Sequence, residues 1–396
     1  MSSTLLPTME LGFPQVGGGV AAGFEPLVET FAETLALSHG HGGALHIRVA
    51  GNVVADLWGG RASMARSWQQ DTPTVIFSCT KGLVAILIGE LVREGQLDLD
   101  APASAYWPEF AARGKDSIPV RWLLSHRAGL PATRRNLQLA DILNWDRMVQ
   151  VLAEEEPLLP PDKGHVYHAL TYGWLAGEII RRVTGTAVEE FFAQRVVRPL
   201  QVEAWIGVPN KELPRVAQLY KAPLAPGVSP PLVDPETAAL AERAMTLGAA
   251  LPVEVAEPNA GFNSDEIRRA VIPGAGGVAT AQALATIWSA TVSDAESIRL
   301  LNNQVIADMC REQSAGEPAL PVPGPWSRWA TGFMLTSERR PFLTEDSFGH
   351  DGLGGQVAFA DPQYEVGFAF LTNDLQEFYD PRGVVLVQAL RRVLNS

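Results

Sequence analysis

The chain has 396 residues, of which 46% are hydrophobic and 19% charged, and its net charge at pH 7 is −13. This length suits two domains of typical size or one large interleaved domain, and the acidic balance disfavours nucleic acid and anionic membrane surfaces as partners. With only two cysteines, Cys79 and Cys310, the composition excludes a disulfide framework and a cysteine-based zinc site.

The N-terminal residues lack a basic region followed by a sustained apolar run, which is the pattern of a signal peptide. No uninterrupted stretch of about twenty apolar residues is present either, as a membrane-spanning helix would need. We therefore expect a cytoplasmic protein without membrane contact.

The first hundred residues predict a helix, a hairpin and a second helix. Residues 25–37 have an amphipathic pattern, and residues 43–50 and 53–59 read as two strands joined by a tight Gly-Asn turn. Residues 78–94 form an apolar stretch that predicts a helix ended by a glycine.

The middle of the chain is mostly helical. Between residues 120 and 290, helical segments alternate with connections rich in Pro and Gly, and the clearest predicted helices span 172–183, 187–197 and 281–291. Segment 209–263 is rich in Pro and Ala, with one helical patch at 236–247. Long irregular connections tend to be functional lids or disordered stretches, and we favour a lid over a cleft.

Strand patterns return near the C-terminus. The predicted elements are a helix at 298–311, strands at 331–336, 356–360 and 366–372, and an amphipathic helix at 381–394. Strands thus occur at both ends of the chain and helices in between. This order predicts an α/β (α+β) fold with one sheet built from both termini, covered by the terminal helices, and an inserted helical region.

The expected organisation is a single domain over residues 1–396. Its α/β subdomain would comprise about 1–77 plus 298–396, and its helical subdomain about 78–297.

The most informative short pattern is Ser78-Cys-Thr-Lys81 at the start of the apolar stretch. In a helix, positions 78 and 81 lie about one turn apart on one face, so a hydroxyl and an amine would stand side by side. Burial lowers the pKa of an amine, which would let Lys81 accept the proton of Ser78 and make it a nucleophile. Chance alone would supply such a pair in about a third of chains with this few lysines.

A Ser–Lys pair needs a further acid/base group and donors for an oxyanion. Tyr167 is a candidate for the first, because it follows a turn-rich stretch and precedes a predicted helix; a packing role is its alternative. The Gly-rich segment 349–355 is a candidate for the second, since Gly lets backbone N–H groups approach a ligand; a strand-entry loop is its alternative.

Together the three elements resemble a known superfamily. Ser78-x-x-Lys81, Tyr167-His168-Ala169 and His350-Asp351-Gly352 occur in the order of the serine β-lactamase and penicillin-binding-protein superfamily. Segments 95–102 and 123–131 are also similar to its class C branch, in particular to the β-lactamase-like family VIII carboxylesterases. The resemblance runs from about residue 43 to 373 and implies a β-lactamase/transpeptidase-like fold.

The resemblance also implies the roles of individual residues. Ser78 would attack an ester carbonyl while Lys81 and Tyr167 share the proton transfers, with the choice of acylation base left open. Backbone N–H groups of Ser78 and Leu353 would stabilise the oxyanion. No metal and no organic cofactor is implied, and the expected partner is a small ester. Oligomeric state is left open, a homo-oligomer included.

Two departures from the β-lactamase pattern concern the substrate-binding positions. Penicillin-hydrolysing relatives usually have K-T-G in the third motif, where the Lys helps to hold the carboxylate of the drug, and His350 stands here instead, followed by Asp351-Gly352. The second motif usually ends in Asn, and Ala169 has no side-chain amide. Both changes favour uncharged esters over β-lactams, and the expected substrates are short-chain or bulky uncharged carboxylic esters. The alternatives are a β-lactamase, D-amino-acid peptidase, amidase or acyltransferase, and a non-catalytic binding homologue, which an intact Ser–Lys–Tyr set disfavours.

Overall fold

A computed structural model gives the fold and describes residues 4–161, 163–224, 232–377 and 380–396. Its main feature is a nine-stranded sheet, counted over these residues, in which every neighbouring pair is antiparallel. In spatial order the strands are Leu6–Pro7, Val16–Val20, Asn52–Gly59, Gly43–Val49, Val366–Thr372, Val357–Asp361, Phe348–Asp351, Met334–Leu335 and Arg328–Trp329.

Three smaller pairings accompany this sheet. They are the three-stranded sheet of Thr74–Val75, Gly277–Ala279 and Ala204–Ile206, the parallel pair Asp374–Leu375 and Tyr220–Lys221, and the pair Arg61–Ser63 and Arg66–Ser67. The first of them brings the residues before Ser78 next to the segment that follows residue 272.

Helices make up most of the remaining regular structure. The α-helices of the described residues are Pro26–Ala36, Cys79–Arg93, Val120–Leu124, Leu139–Ile142, Trp145–Glu154, Thr171–Thr184, Val188–Phe192, Arg198–Leu200, Pro235–Thr246, Asp265–Arg269, Ala281–Val292, Asn303–Met309 and Arg382–Leu394. Short 3₁₀ turns occur at Ala103–Ala105, Pro108–Gly114, Leu213–Arg215 and Gly261–Asn263, and a π-helical turn at Ala193–Val197.

Side chains alternate along each strand, so apolar residues point to both faces of the sheet, and both faces are covered. Leu45 and Phe368 lie in the core beneath the terminal helices Pro26–Ala36 and Arg382–Leu394. Alanines and leucines at the intervening positions belong to the larger core on the opposite face, where the helix Ala281–Val292 packs on the central strands. This helix therefore covers the sheet, although the expected division at residue 297 assigned it to the helical subdomain.

The predicted architecture of a sheet from both termini, terminal helices and an inserted helical region is confirmed. The hairpin of residues 43–59 and the helices expected at 78–94, 172–183 and 381–394 are also confirmed, to within a few residues.

Two predicted elements near the C-terminus were wrong in extent. The helix expected at 298–311 is only Asn303–Met309, because residues 295–298 form a tight bridged turn with positive φ at Glu296 and Ser297. The strand expected at 331–336 shrinks to Met334–Leu335, since a turn with Gly332 at φ +85° precedes it. The Gly-rich segment 349–355, the candidate for oxyanion donors, begins inside the strand Phe348–Asp351.

Segment 209–263 is described except for residues 225–231. Its predicted helical patch is confirmed as Pro235–Thr246, where the Asp234 side chain accepts hydrogen bonds from the first backbone N–H groups. Its last described turn, Gly261–Asn263, packs against the chain beside Ser78, because the Phe262 ring lies 5.1 Å from that of Phe77. No helix among the described residues combines the length and apolar character needed to cross a membrane.

Candidate active site

Ser78 stands at the start of the helix Cys79–Arg93 and is partly exposed, whereas its neighbours are buried. The preceding residue, Phe77, has a φ of +44°, a left-handed conformation that costs a bulky residue about 1–3 kcal/mol. The Thr80 hydroxyl donates to the Phe77 carbonyl at 2.5 Å, and the Phe77 ring is held by Phe262. The strained turn thus presents the Ser78 hydroxyl at the surface of an otherwise buried region.

Lys81 is fully buried directly behind Ser78. Its Nζ lies 3.0 Å from the Ser78 Oγ and donates to the carbonyl oxygens of Ala169 at 2.7 Å and Gly274 at 2.6 Å. Burial lowers the pKa of Lys81 from 10.5 to about 7, and the negative charge of Asp351 opposes this shift only in part. A large share of the enzyme therefore holds Lys81 as a neutral amine at neutral pH.

The two carbonyls also orient that amine. A neutral amine has two N–H groups and one lone pair. When both N–H groups point to Ala169 and Gly274, the lone pair is left for the third neighbour, the hydroxyl of Ser78. The geometry is that of a base poised to accept the Ser78 proton.

Tyr167 reaches Ser78 from the other side. Its hydroxyl donates to the Ser78 Oγ at 2.8 Å, and the Lys81 Nζ lies 4.9 Å from the centre of its ring. Burial raises the pKa of the Tyr167 phenol well above its usual value, so the resting phenol keeps its proton. Lys81, one helical turn along, and Tyr167, 89 residues along the chain, thus meet at the hydroxyl oxygen of Ser78.

The rest of the second motif is structural. The His168 Nδ1–H donates to the Val166 carbonyl at 2.6 Å, and its Nε2 accepts from the Leu130 backbone N–H at 3.0 Å, which selects one neutral tautomer. Burial lowers the pKa of His168 to about 4. Ala169, expected to line the substrate site, is buried and takes part through its carbonyl bond to Lys81.

His350 in the third motif is buried, with 1% of its surface exposed. Its Nδ1–H donates to the Asp351 carbonyl at 2.7 Å, and its ring centre lies 6.3 Å from that of Tyr167. Burial lowers the pKa of His350 to about 4, so the imidazole is neutral at pH 7. The position that carries a lysine in penicillin-hydrolysing relatives therefore holds no cation here.

Gly352 lies against the chain that leads into Ser78. Its N–H donates to the Gln356 carbonyl at 2.8 Å, and a Cβ on Gly352 would lie 2.5 Å from the carbonyl oxygen of Ile76. Leu353 therefore follows directly on a segment that touches the chain entering Ser78. In the part of the chain that the structure describes, the backbone N–H groups of Ser78 and Leu353 have no protein acceptor, as oxyanion donors require.

Sequence reasoning missed four residues that shape this site. Gly274 supplies a carbonyl to Lys81, and the run Pro273-Gly-Ala-Gly-Gly277 was the available signal for such a close backbone approach. Trp329 stacks on Tyr167 with ring centres 5.2 Å apart, and His126 packs on the same tyrosine at 4.7 Å. Phe262 supports the turn at Ser78, as described above.

Comparison with known proteins gives consistent likenesses over nearly the whole chain. A family model described as Beta-lactamase matches residues 27–390. The chain is 31% identical over 381 residues to the "Esterase/beta-lactamase LipL" of Mycobacterium tuberculosis (strain ATCC 25618 / H37Rv). The aligned region covers 91% of this chain and 83% of that protein.

Solved structures agree with these matches. A crystal structure of a family VIII carboxylesterase has a TM-score of 0.83 at 31% identity and covers 96% of this chain and 99% of its own. A penicillin-binding protein homologue from Caulobacter crescentus has the same TM-score at 33% identity, again with 96% and 99% covered.

Proposed function

Because this chain belongs to the beta-lactamase family, has the fold of that family and is a serine hydrolase, we propose that it is a carboxylesterase for short-chain or bulky uncharged esters. The observation that carries the proposal is the meeting of Lys81 and Tyr167 at the Ser78 hydroxyl, at 3.0 and 2.8 Å. These distances lie within the range that proton transfer requires.

In the proposed acylation step, Ser78 attacks the ester carbonyl and gives its proton to the neutral Lys81. The carbonyl oxygen becomes an oxyanion, stabilised by the backbone N–H groups of Ser78 and Leu353. The tetrahedral intermediate collapses when the C–O bond to the alcohol breaks. The alcohol leaves with a proton from Tyr167, and Tyr167 takes a proton from Lys81 in return. Because burial holds the pKa of the Tyr167 phenol high, the resting phenol carries the proton that this step uses.

In the proposed deacylation step, a water molecule enters where the alcohol left. The same two groups take its proton as it attacks the acyl carbon, and the Ser78 oxygen leaves with a proton, which restores the free enzyme. The cycle uses groups of the chain and water.

The preference for uncharged esters follows from the substrate-binding positions. His350 is buried and neutral, so it offers no fixed cation to a carboxylate. Ala169 has no side-chain amide for an acylamide group. An ester also has a better leaving group than an ordinary amide and needs less help in acylation.

The lid role of segment 209–263 and a cytoplasmic location remain predictions.

A β-lactamase is the second candidate, since the name of the related LipL protein includes both activities. We expect kcat/KM for p-nitrophenyl acetate or butyrate to exceed that for a chromogenic cephalosporin by at least about a hundredfold, which corresponds to about 2.7 kcal/mol of transition-state free energy. Cleavage of D-Ala-D-Ala peptides should be undetectable. Comparable rates on cephalosporin and ester would contradict the esterase proposal and favour the second candidate.

A further inference from the structure

His126 holds the two residues on either side of Tyr167. It follows the short helix Val120–Leu124, and its backbone carbonyl accepts the N–H of Val166 at 2.9 Å. Its ring Nδ1 accepts the N–H of His168 at 3.2 Å. One residue thus fixes the backbone before and after the tyrosine.

The His126 ring also packs on the tyrosine itself. The ring centres of His126 and Tyr167 are 4.7 Å apart, and Trp329 contacts both, edge-on to His126 at 4.5 Å and stacked on Tyr167 at 5.2 Å. Rotation of the Tyr167 ring away from Ser78 would have to displace one of these two buried rings.

The conformation of His126 indicates that this contact is held at a cost. Its φ is +64°, which is uncommon for a residue with a side chain, and only 2% of its surface is exposed. The His126 Nδ1 can accept from the His168 N–H only when it carries no proton. Burial, with other basic groups nearby, holds the pKa of His126 well below its usual value, so this nitrogen is free to accept. The titratable groups around it are His165, His168, His350, Lys81, Tyr167 and Tyr172.

We propose that His126 is a positioning residue that keeps the Tyr167 hydroxyl in line with the Ser78 oxygen. The proposal rests on the proposed role of Tyr167 in proton transfer. Because such transfer depends on a short donor–acceptor distance, a displacement of about 1 Å can cost up to a hundredfold in rate.

Two variants separate the two contacts of His126. In His126→Asn, the side-chain oxygen is bonded to Cγ as Nδ1 is, so a hydrogen-bond acceptor is kept while the ring is removed. Asn also tolerates a left-handed φ. His126→Phe keeps a ring and removes the acceptor. We expect His126→Phe to lower kcat for p-nitrophenyl butyrate about 10- to 100-fold with a smaller change in KM, and His126→Asn to recover most of that loss.

A double-mutant cycle with Tyr167→Phe distinguishes positioning from general damage. If His126 acts through the Tyr167 hydroxyl, His126→Phe should cost little further activity once that hydroxyl is gone. An equal loss of kcat in both backgrounds would overturn the proposal. Near wild-type kcat in Tyr167→Phe alone would instead refute the proposed role of Tyr167, so the two failures are distinguishable.

Control variants keep the result interpretable. If the strained His126→Phe chain does not fold, His126→Gly replaces it, since Gly adopts a positive φ without strain, and the same coupling to Tyr167→Phe is expected. His46 is an equally buried histidine, paired with Asp56 at 3.0 Å within the sheet. His46→Gln should lower the melting temperature and leave kcat unchanged.

Discussion

The Nζ of Lys81 donates to the backbone carbonyl of Ala169 at 2.7 Å, so the last residue of the second motif contacts the Lys81 amine through its main chain. With the Gly274 carbonyl at 2.6 Å, this bond uses both hydrogens of a neutral amine and leaves the lone pair for Ser78. Residue 169 therefore contacts Lys81 without using its side chain.

Lys81→Arg should be almost inactive on esters, with a loss in kcat/KM of about 10³-fold or more, because a guanidinium keeps its proton and cannot act as a base. The chain offers a matched control in Lys115, which is also buried and donates to three backbone carbonyls, those of Ala112, Ala153 and Glu155. Lys115→Arg should keep its activity per folded molecule. Steady-state kinetics on p-nitrophenyl butyrate compare the two, and an active Lys81→Arg enzyme would exclude Lys81 as the base.

Burial of Lys81 should also make the stability of the protein depend on pH. The folded pKa is about 7 and the ordinary value 10.5, so between these values the unfolded chain binds the extra proton. The unfolding free energy of the wild type should then rise relative to that of Lys81→Met, by up to about 1.4 kcal/mol per pH unit within this window. Urea unfolding of both proteins at pH 7, 8 and 9 measures the difference, and parallel curves would show that Lys81 is not neutral in the folded state.

Tyr167→Phe should lose about 10²-fold or more in kcat, the usual contribution of a positioned acid or base, while the packing of its ring is retained. Circular dichroism and the melting temperature check that the variant is folded. Wild-type turnover by a folded Tyr167→Phe enzyme would remove this hydroxyl from the mechanism.

Gly352→Ala should reduce kcat because the new Cβ would meet the Ile76 carbonyl oxygen at 2.5 Å and push the Leu353 N–H away from the oxyanion position. Gly367→Ala is a control with an equally close backbone oxygen, that of Ala285 at 2.3 Å, between the sheet and a helix away from Ser78. Both variants should be less stable, but only Gly352→Ala should lose activity per folded molecule. Equal kcat values would argue against Leu353 as an oxyanion donor.

That Ser78, Lys81 and Tyr167 lie together could be predicted from the sequence, because Ser78 and Lys81 are one helical turn apart and the motifs occur in a recognisable order; their catalytic roles stay a proposal. The period-two and helical patterns likewise predicted the sheet and the terminal helices. The role of Gly274 could not be predicted, since it acts through a main-chain carbonyl brought close by tertiary packing. The same holds for His126, whose backbone and ring contact residues about forty positions later in the chain.

The central claim is that Ser78 is the nucleophile, and labelling with a fluorophosphonate tests it most directly. Intact-mass and peptide mass spectrometry should find one covalent equivalent, located on Ser78, and Ser78→Ala should neither bind the probe nor hydrolyse p-nitrophenyl butyrate. A probe attached to another serine, with ester turnover retained in Ser78→Ala, would contradict the account.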